Sequence, residues 1–130
     1  MDDMKDSVSE KLNRLMRTLS VLRISAVESE YELHEQIAAA LQGGGFVVMH
    51  EENIAPRCRI DFLVDGVGIE VKRGKVQRTK LMEQCRRYLS SERVEALIVV
   101  LDTSVNLPAM MDGKAVRVFG LNRLWGIALP

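Results

Sequence analysis

Arg59-Ile60-Asp61-Phe62-Leu63-Val64-Asp65-Gly66-Val67-Gly68-Ile69-Glu70-Val71-Lys72 is a pair of alternating runs on either side of Asp65-Gly66. Asp-Gly in that setting signals a two-residue type I′ hairpin turn, because both turn positions need positive φ. Counting outward from the turn sets Val64 against Val67, Phe62 against Ile69 and Ile60 against Val71, an apolar row on one side of the ribbon. On the other side Asp61 falls opposite Glu70, and Arg59 opposite Lys72. Facing carboxylates sit with Cβ atoms about 4.5–5.5 Å apart, and like charges there are destabilising. Two offsets are available. Diagonal pairs, Lys72 with Asp61 and Arg59 with Glu70, would make a surface charge lattice; a divalent cation held by both carboxylates would make a metal site, since hard oxygen ligands suit Mg²⁺.

Working outward, a helix is expected from about Ser29 to Gln42, with Leu33, Ile37, Ala40 and Leu41 on one face and Gly43-Gly44-Gly45 as its stop. Phe46 to Met49 reads as a strand ending near Glu51 and Glu52. After the hairpin a helix spans about Val76 to Leu89, with Leu81, Met82, Cys85 and Leu89 inward. The unbroken apolar run Ala96–Leu101 has the pattern of a buried strand. Pro108 and Asp112-Gly113 mark turns before a last strand near Val116–Leu121. Ahead of all this, residues 5–26 read as a helix with a capping box at Ser7-Val8-Ser9-Glu10. Val8, Leu12, Leu15, Leu19, Leu22 and Ala26 form a seam on it that packs either on the domain or on a second copy of the chain. The expected division is an N-terminal helix over 1–27 and an α/β domain over 28–130. Its αβββαβ core would be a central mixed sheet flanked by helices.

Asp61, followed across a short turn by Glu70-Val71-Lys72, resembles the PD-(D/E)xK nuclease superfamily, the group of restriction endonucleases and Holliday junction resolvases. The preceding helix, the three-stranded ribbon and the following helix and strand resemble its core over residues 29–101. Ile60 stands where the superfamily's name places Pro. The resemblance implies a restriction-endonuclease-like fold and hydrolysis of phosphodiester bonds in DNA with Mg²⁺ or Mn²⁺. By position it makes Asp61 and Glu70 the metal ligands, with the Val71 carbonyl, and sets Lys72 beside the attacking water. A residue of the preceding helix often completes such sites, here Glu32 or His34 ahead of Glu30; Glu51 and Glu52 are further candidates. A Gln and a Tyr in the later helix correspond to Gln84 and Tyr88. Lys72 has a plainer reading as a salt bridge, Gln84 as an exposed amide, and His50 as a surface residue.

Composition sets the frame for these readings. A chain of 130 residues with 47% hydrophobic and 28% charged residues is long enough for one domain with a real core, burying roughly 65–70% of its unfolded surface. The formal net charge of +0 is unevenly distributed. Residues 1–56 carry ten acidic and five basic side chains, whereas residues 57–93 carry ten basic and five acidic. Arg73, Lys75, Arg78, Lys80 and Arg87, with Tyr88, make that basic segment a candidate grip on a DNA backbone. Cys58 and Cys85 fall on apolar faces without a CxxC or Cys/His cluster, so a structural zinc is not expected and a reducing cytoplasm is. No apolar run reaches the ~18–20 residues of a membrane span. The expectation is a metal-dependent DNA nuclease, with a homodimer through the N-terminal seam as a separate hypothesis. The alternative is a non-catalytic DNA-binding or assembly module on the same fold.

Overall fold

The computed structural model describes residues 2–22 and 29–121; Ala26 of the seam lies outside them. Helices α1 (Asp2–Leu19) and α2 (Glu30–Gly43) precede strands β1 (Met49–Ala55), β2 (Cys58–Val64) and β3 (Val67–Lys72). Helix α3 (Arg78–Leu89) follows, then β4 (Ala96–Leu101), β5 (Met110–Met111) and β6 (Lys114–Gly120). The six strands form one sheet in the order β1-β2-β3-β4-β6-β5. β1, β2 and β3 are antiparallel neighbours, β3, β4 and β6 run parallel, and β5 returns antiparallel on β6. The fold is therefore α/β with a mixed sheet, as expected. No helix among the described residues is long and apolar enough to cross a membrane.

Alternation of β4 explains its unbroken apolar sequence. Ala96, Ile98 and Val100 enter the core between the sheet and α1/α2, while Leu97, Val99 and Leu101 enter the core under α3. A strand buried on both faces has no solvent side to mark with polar residues. Leu33, Ile37 and Leu41 of α2 are fully buried in the first core, and Ser29 caps that helix by accepting from the Glu32 N–H. Leu12, Leu15, Leu19 and Leu22 join the same core with Val8 beside them, so the seam is occupied within the chain. Lys11 fixes the other side of α1 to the hairpin turn, reaching Glu95 Oε1 at 2.6 Å and the Asp65 carbonyl at 2.9 Å.

Several boundaries differ from the sequence reading; α1 ends at Leu19, short of the expected residue 26, and α3 begins at Arg78, two residues late. α1 begins at Asp2, which leaves Ser7–Glu10 inside the helix instead of capping it; no Gly or Pro breaks the chain before Ser7. β1 starts at Met49, the last residue of the expected Phe46–Met49 run, and continues through Glu51 and Glu52 to Ala55. It is an edge strand and mostly exposed, so apolar alternation does not mark it, and Glu51 and Glu52 read as a strand end from sequence alone. The last strand begins two residues early, at Lys114, and gains the short partner β5 across the Asp112-Gly113 turn.

Candidate active site

The hairpin turn is as expected, with Asp65 at φ 50° and Gly66 at φ 82°. Val64 pairs with Val67, Leu63 with Gly68 and Phe62 with Ile69. There the ladder stops. Instead of facing each other across it, Asp61 and Glu70 turn their carboxylates onto the opposite backbone. The Asp61 N–H donates to Glu70 Oε1 at 3.2 Å, and the Val71 N–H donates to Asp61 Oδ2 at 2.8 Å. The strand's sidedness also changes here: Phe62 and Val64 pack toward α1 and α2, but Ile60 packs toward α3. Ile60 thus leaves the apolar row that counting from the turn assigns it. Its tip fills the space where a side chain at Gly68 would begin.

Glu70 is the hub of the site and is only 5% exposed. Lys72 Nζ lies 3.1 Å from its Oε2, and Gln84 Nε2 donates to the same oxygen at 3.4 Å. Gln84 also donates to the Tyr88 hydroxyl at 2.7 Å, one turn further along α3. Burial, followed by the Asp61 charge, pushes the Glu70 carboxyl above its ordinary range despite the neighbouring Lys72. Burial likewise raises Asp61, against its bond from Val71 and the charge of Lys72. Tyr88 is raised by burial and by Glu70, and Cys85 is pushed up to about 11 by the same two causes. Both cysteines are free and buried.

On the α2 side, His34 Nε2 lies 3.8 Å from Asp61 Oδ2 and 4.0 Å from Glu30 Oε1. The acidic side chain that α2 brings to this histidine is Glu30, not Glu32. Glu32 is exposed on the first turn, where its N–H is spent on Ser29. Glu51 is exposed, and Glu52 is paired with Arg93 at 2.9 Å. Of the basic candidates, Arg73 is held by Asp102 at 3.2 Å and Arg78 by the Asn106 carbonyl at 2.7 Å. Lys75, Lys80 and Arg87 are exposed. Asp61, Glu70, Lys72, Gln84, Tyr88 and His34 are therefore brought together, while Glu32 and Glu51 are exposed and Glu52 is held by Arg93.

Two residues that sequence reasoning passed over contribute here. Asp102, one residue past β4, accepts from the Gly74 N–H at 2.7 Å as well as from Arg73, and Thr103 donates to the Gly74 carbonyl at 3.1 Å. The chain leaving Lys72 is thereby tied to the end of β4. His50 lies against His34 and Phe62. Its place follows from pairing β1 with β2, which sets His50 opposite Phe62, but only once the strand is extended past Met49.

Among the described residues no three His, Cys, Asp or Glu side chains converge as a metal cage. The donor chemistry of the Asp61/Glu70 pair nevertheless fits Mg²⁺ or Mn²⁺. Mg²⁺ keeps several waters and is commonly bound through one or two carboxylates plus substrate phosphate. Two carboxyls whose charge is disfavoured by burial also gain from a cation that neutralises them.

No protein-family model and no curated protein matches the chain. Among solved structures, a chain of the CdiA-CT/CdiI toxin and immunity complex from Burkholderia pseudomallei is similar at 16% identity and a TM-score of 0.36. The alignment covers 76% of this chain and 87% of that one. A likeness that low says nothing about this chain's activity.

Proposed function

We propose that the protein is a metal-dependent nuclease of the PD-(D/E)xK type that hydrolyses phosphodiester bonds in DNA. The observation that carries this reading is the interrupted hairpin, where Asp61 and Glu70 replace ladder bonds and stand beside Lys72. A purely structural hairpin gains nothing from a buried and a partly buried carboxylate at a break in its ladder, where apolar residues and plain backbone pairing cost less.

Asp61 and Glu70, with the Val71 carbonyl, would hold Mg²⁺ or Mn²⁺. Such an ion, when bound, polarises a phosphate oxygen and lowers the pKa of a coordinated water. Lys72 is tethered by Glu70 and offers its remaining donors to the attacking water or to the charge growing on the phosphorane. Gln84 keeps the outer oxygen of Glu70 oriented through its own bond to Tyr88. Lys75, Lys80 and Arg87 would contact backbone phosphates without reading sequence.

The test is cleavage of linear, branched and supercoiled DNA with Mg²⁺ and with EDTA. Cleavage is expected only with the metal. Asp61→Ala and Lys72→Ala should each lower it by roughly 10²-fold or more while circular dichroism stays native. Metal-dependent cleavage unchanged by both substitutions would defeat the proposal. DNA binding without cleavage, insensitive to EDTA, would identify a non-catalytic module on the same fold.

A further inference from the structure

The chain has two histidines, and the fold brings them together. His34 stands on α2 and His50 on β1, with His34 Nδ1 and His50 Nε2 3.4 Å apart. His50 lies flat on Phe62, with ring centroids 4.7 Å apart and planes within 6°. Phe62 is its cross-strand partner and the residue next to Asp61. The far nitrogen of His34, Nε2, is buried and has no hydrogen-bond partner, and it is the atom that faces Asp61 Oδ2 and Glu30 Oε1.

An imidazole on a helix surface can rotate, and its tautomer follows the hydrogen bond made by its other nitrogen. Here that bond is shared with His50, an exposed residue whose own ring stacks on Phe62. We infer that His50 is a positioning residue: it holds the His34 ring so that Nε2 is presented to the space shared by Asp61 and Glu30. An imidazole suits this task because its nitrogen can either donate or accept. When His50 donates, His34 carries its proton on Nε2 and directs an N–H at the two carboxylates. When His50 accepts, His34 presents a bare lone pair to a cation held there. Phe at position 50 keeps the stack but has no nitrogen, whereas Gln can both donate and accept.

This inference rests on the nuclease reading for its purpose, but its contact is tested without it. In metal-free protein, the ¹⁵Nδ1 resonance of His34 should move in His50→Phe and in His50→Ala, and return toward wild type in His50→Gln. The Mn²⁺ concentration giving half-maximal thermal stabilisation should then rise about ten-fold in His50→Phe and much less in His50→Gln. An Nδ1 resonance indifferent to His50→Phe would overturn the inference, as would a Mn²⁺ requirement equal in the Phe and Gln variants. Cleavage that ignores Asp61→Ala would strike the nuclease reading alone, because the resonance is read in the absence of metal and substrate.

Discussion

Asp61 and Glu70 are each bonded to the opposite strand's backbone, yet both carboxyls are raised, with burial as the leading cause. The sign of the resulting pH dependence follows. A carboxyl whose folded pKa lies above its unfolded value of 3.8 or 4.5 binds protons better in the folded state. Its stabilising contribution is complete below the unfolded pKa and is lost as pH rises through the folded one. In EDTA, the pair therefore weakens the protein above that window. Asp61→Asn keeps an oxygen for the Val71 N–H and removes one of the two charges. Calorimetry of metal-free protein near pH 8 should show Asp61→Asn more stable than wild type by about 1 kcal/mol, with the gap closing toward pH 4. Added Mg²⁺ should raise the wild-type Tm and leave that of Asp61→Asn unmoved. A variant less stable than wild type at pH 8 would show that the charge contributes to the fold.

At the scale of elements, the strand change at Ile60 depends on a missing side chain. A Cβ at Gly68 would collide with the tip of Ile60 and press on Leu97, inside the core beneath α3. Gly68→Ala should cost about 1–3 kcal/mol in urea unfolding, and Ile60→Val beside it should recover part of the loss. Absence of any cost would mean the hairpin has room to keep Ile60 on its original side. Much of this architecture is legible in sequence. The β2 and β3 limits, the I′ turn and β4 follow from alternation, Asp65-Gly66 and the apolar run 96–101. The reversal at Ile60 is not legible, because period-two counting assumes a continuous ladder and the side chains of Asp61 and Glu70 break it. β1 is misplaced for a related reason. Most of β1 is exposed on both faces, so it lacks the apolar alternation that marks the others; His50 is exposed, as its surface reading has it, but its place on Phe62 is not legible without the strand. Glu30 stands four residues before His34 and shares its helix face, whereas Glu32 stands two before it and is turned away; that spacing is legible in the sequence, and the preference for Glu32 overlooks it.

For the whole molecule, the neutral total conceals a division of labour between its segments. Acidic α2 supplies Glu30 beside His34, and the basic stretch 57–93 supplies Lys72 together with exposed Lys75, Lys80 and Arg87. If that stretch grips phosphates, binding to a short duplex should weaken steeply with salt. Replacing Lys75 and Lys80 together by Ala should flatten the slope of log K against log salt by roughly two. A slope unchanged by the double substitution would place the DNA elsewhere. The seam of α1 belongs to the same core as the sheet, so Leu15→Ala should cost about 2–5 kcal/mol of stability. Its unfolding midpoint should not depend on protein concentration, whereas a concentration-dependent midpoint would point to a second copy on this helix. Central to the proposed function is a cation site in the space between the Asp61 and Glu70 carboxylates. Crystals soaked in Mn²⁺ and measured for anomalous scattering test it most directly. The account predicts a peak within coordination distance of both Asp61 and Glu70, absent from Asp61→Asn crystals; a map with no peak there, or one undisturbed by that substitution, would contradict it.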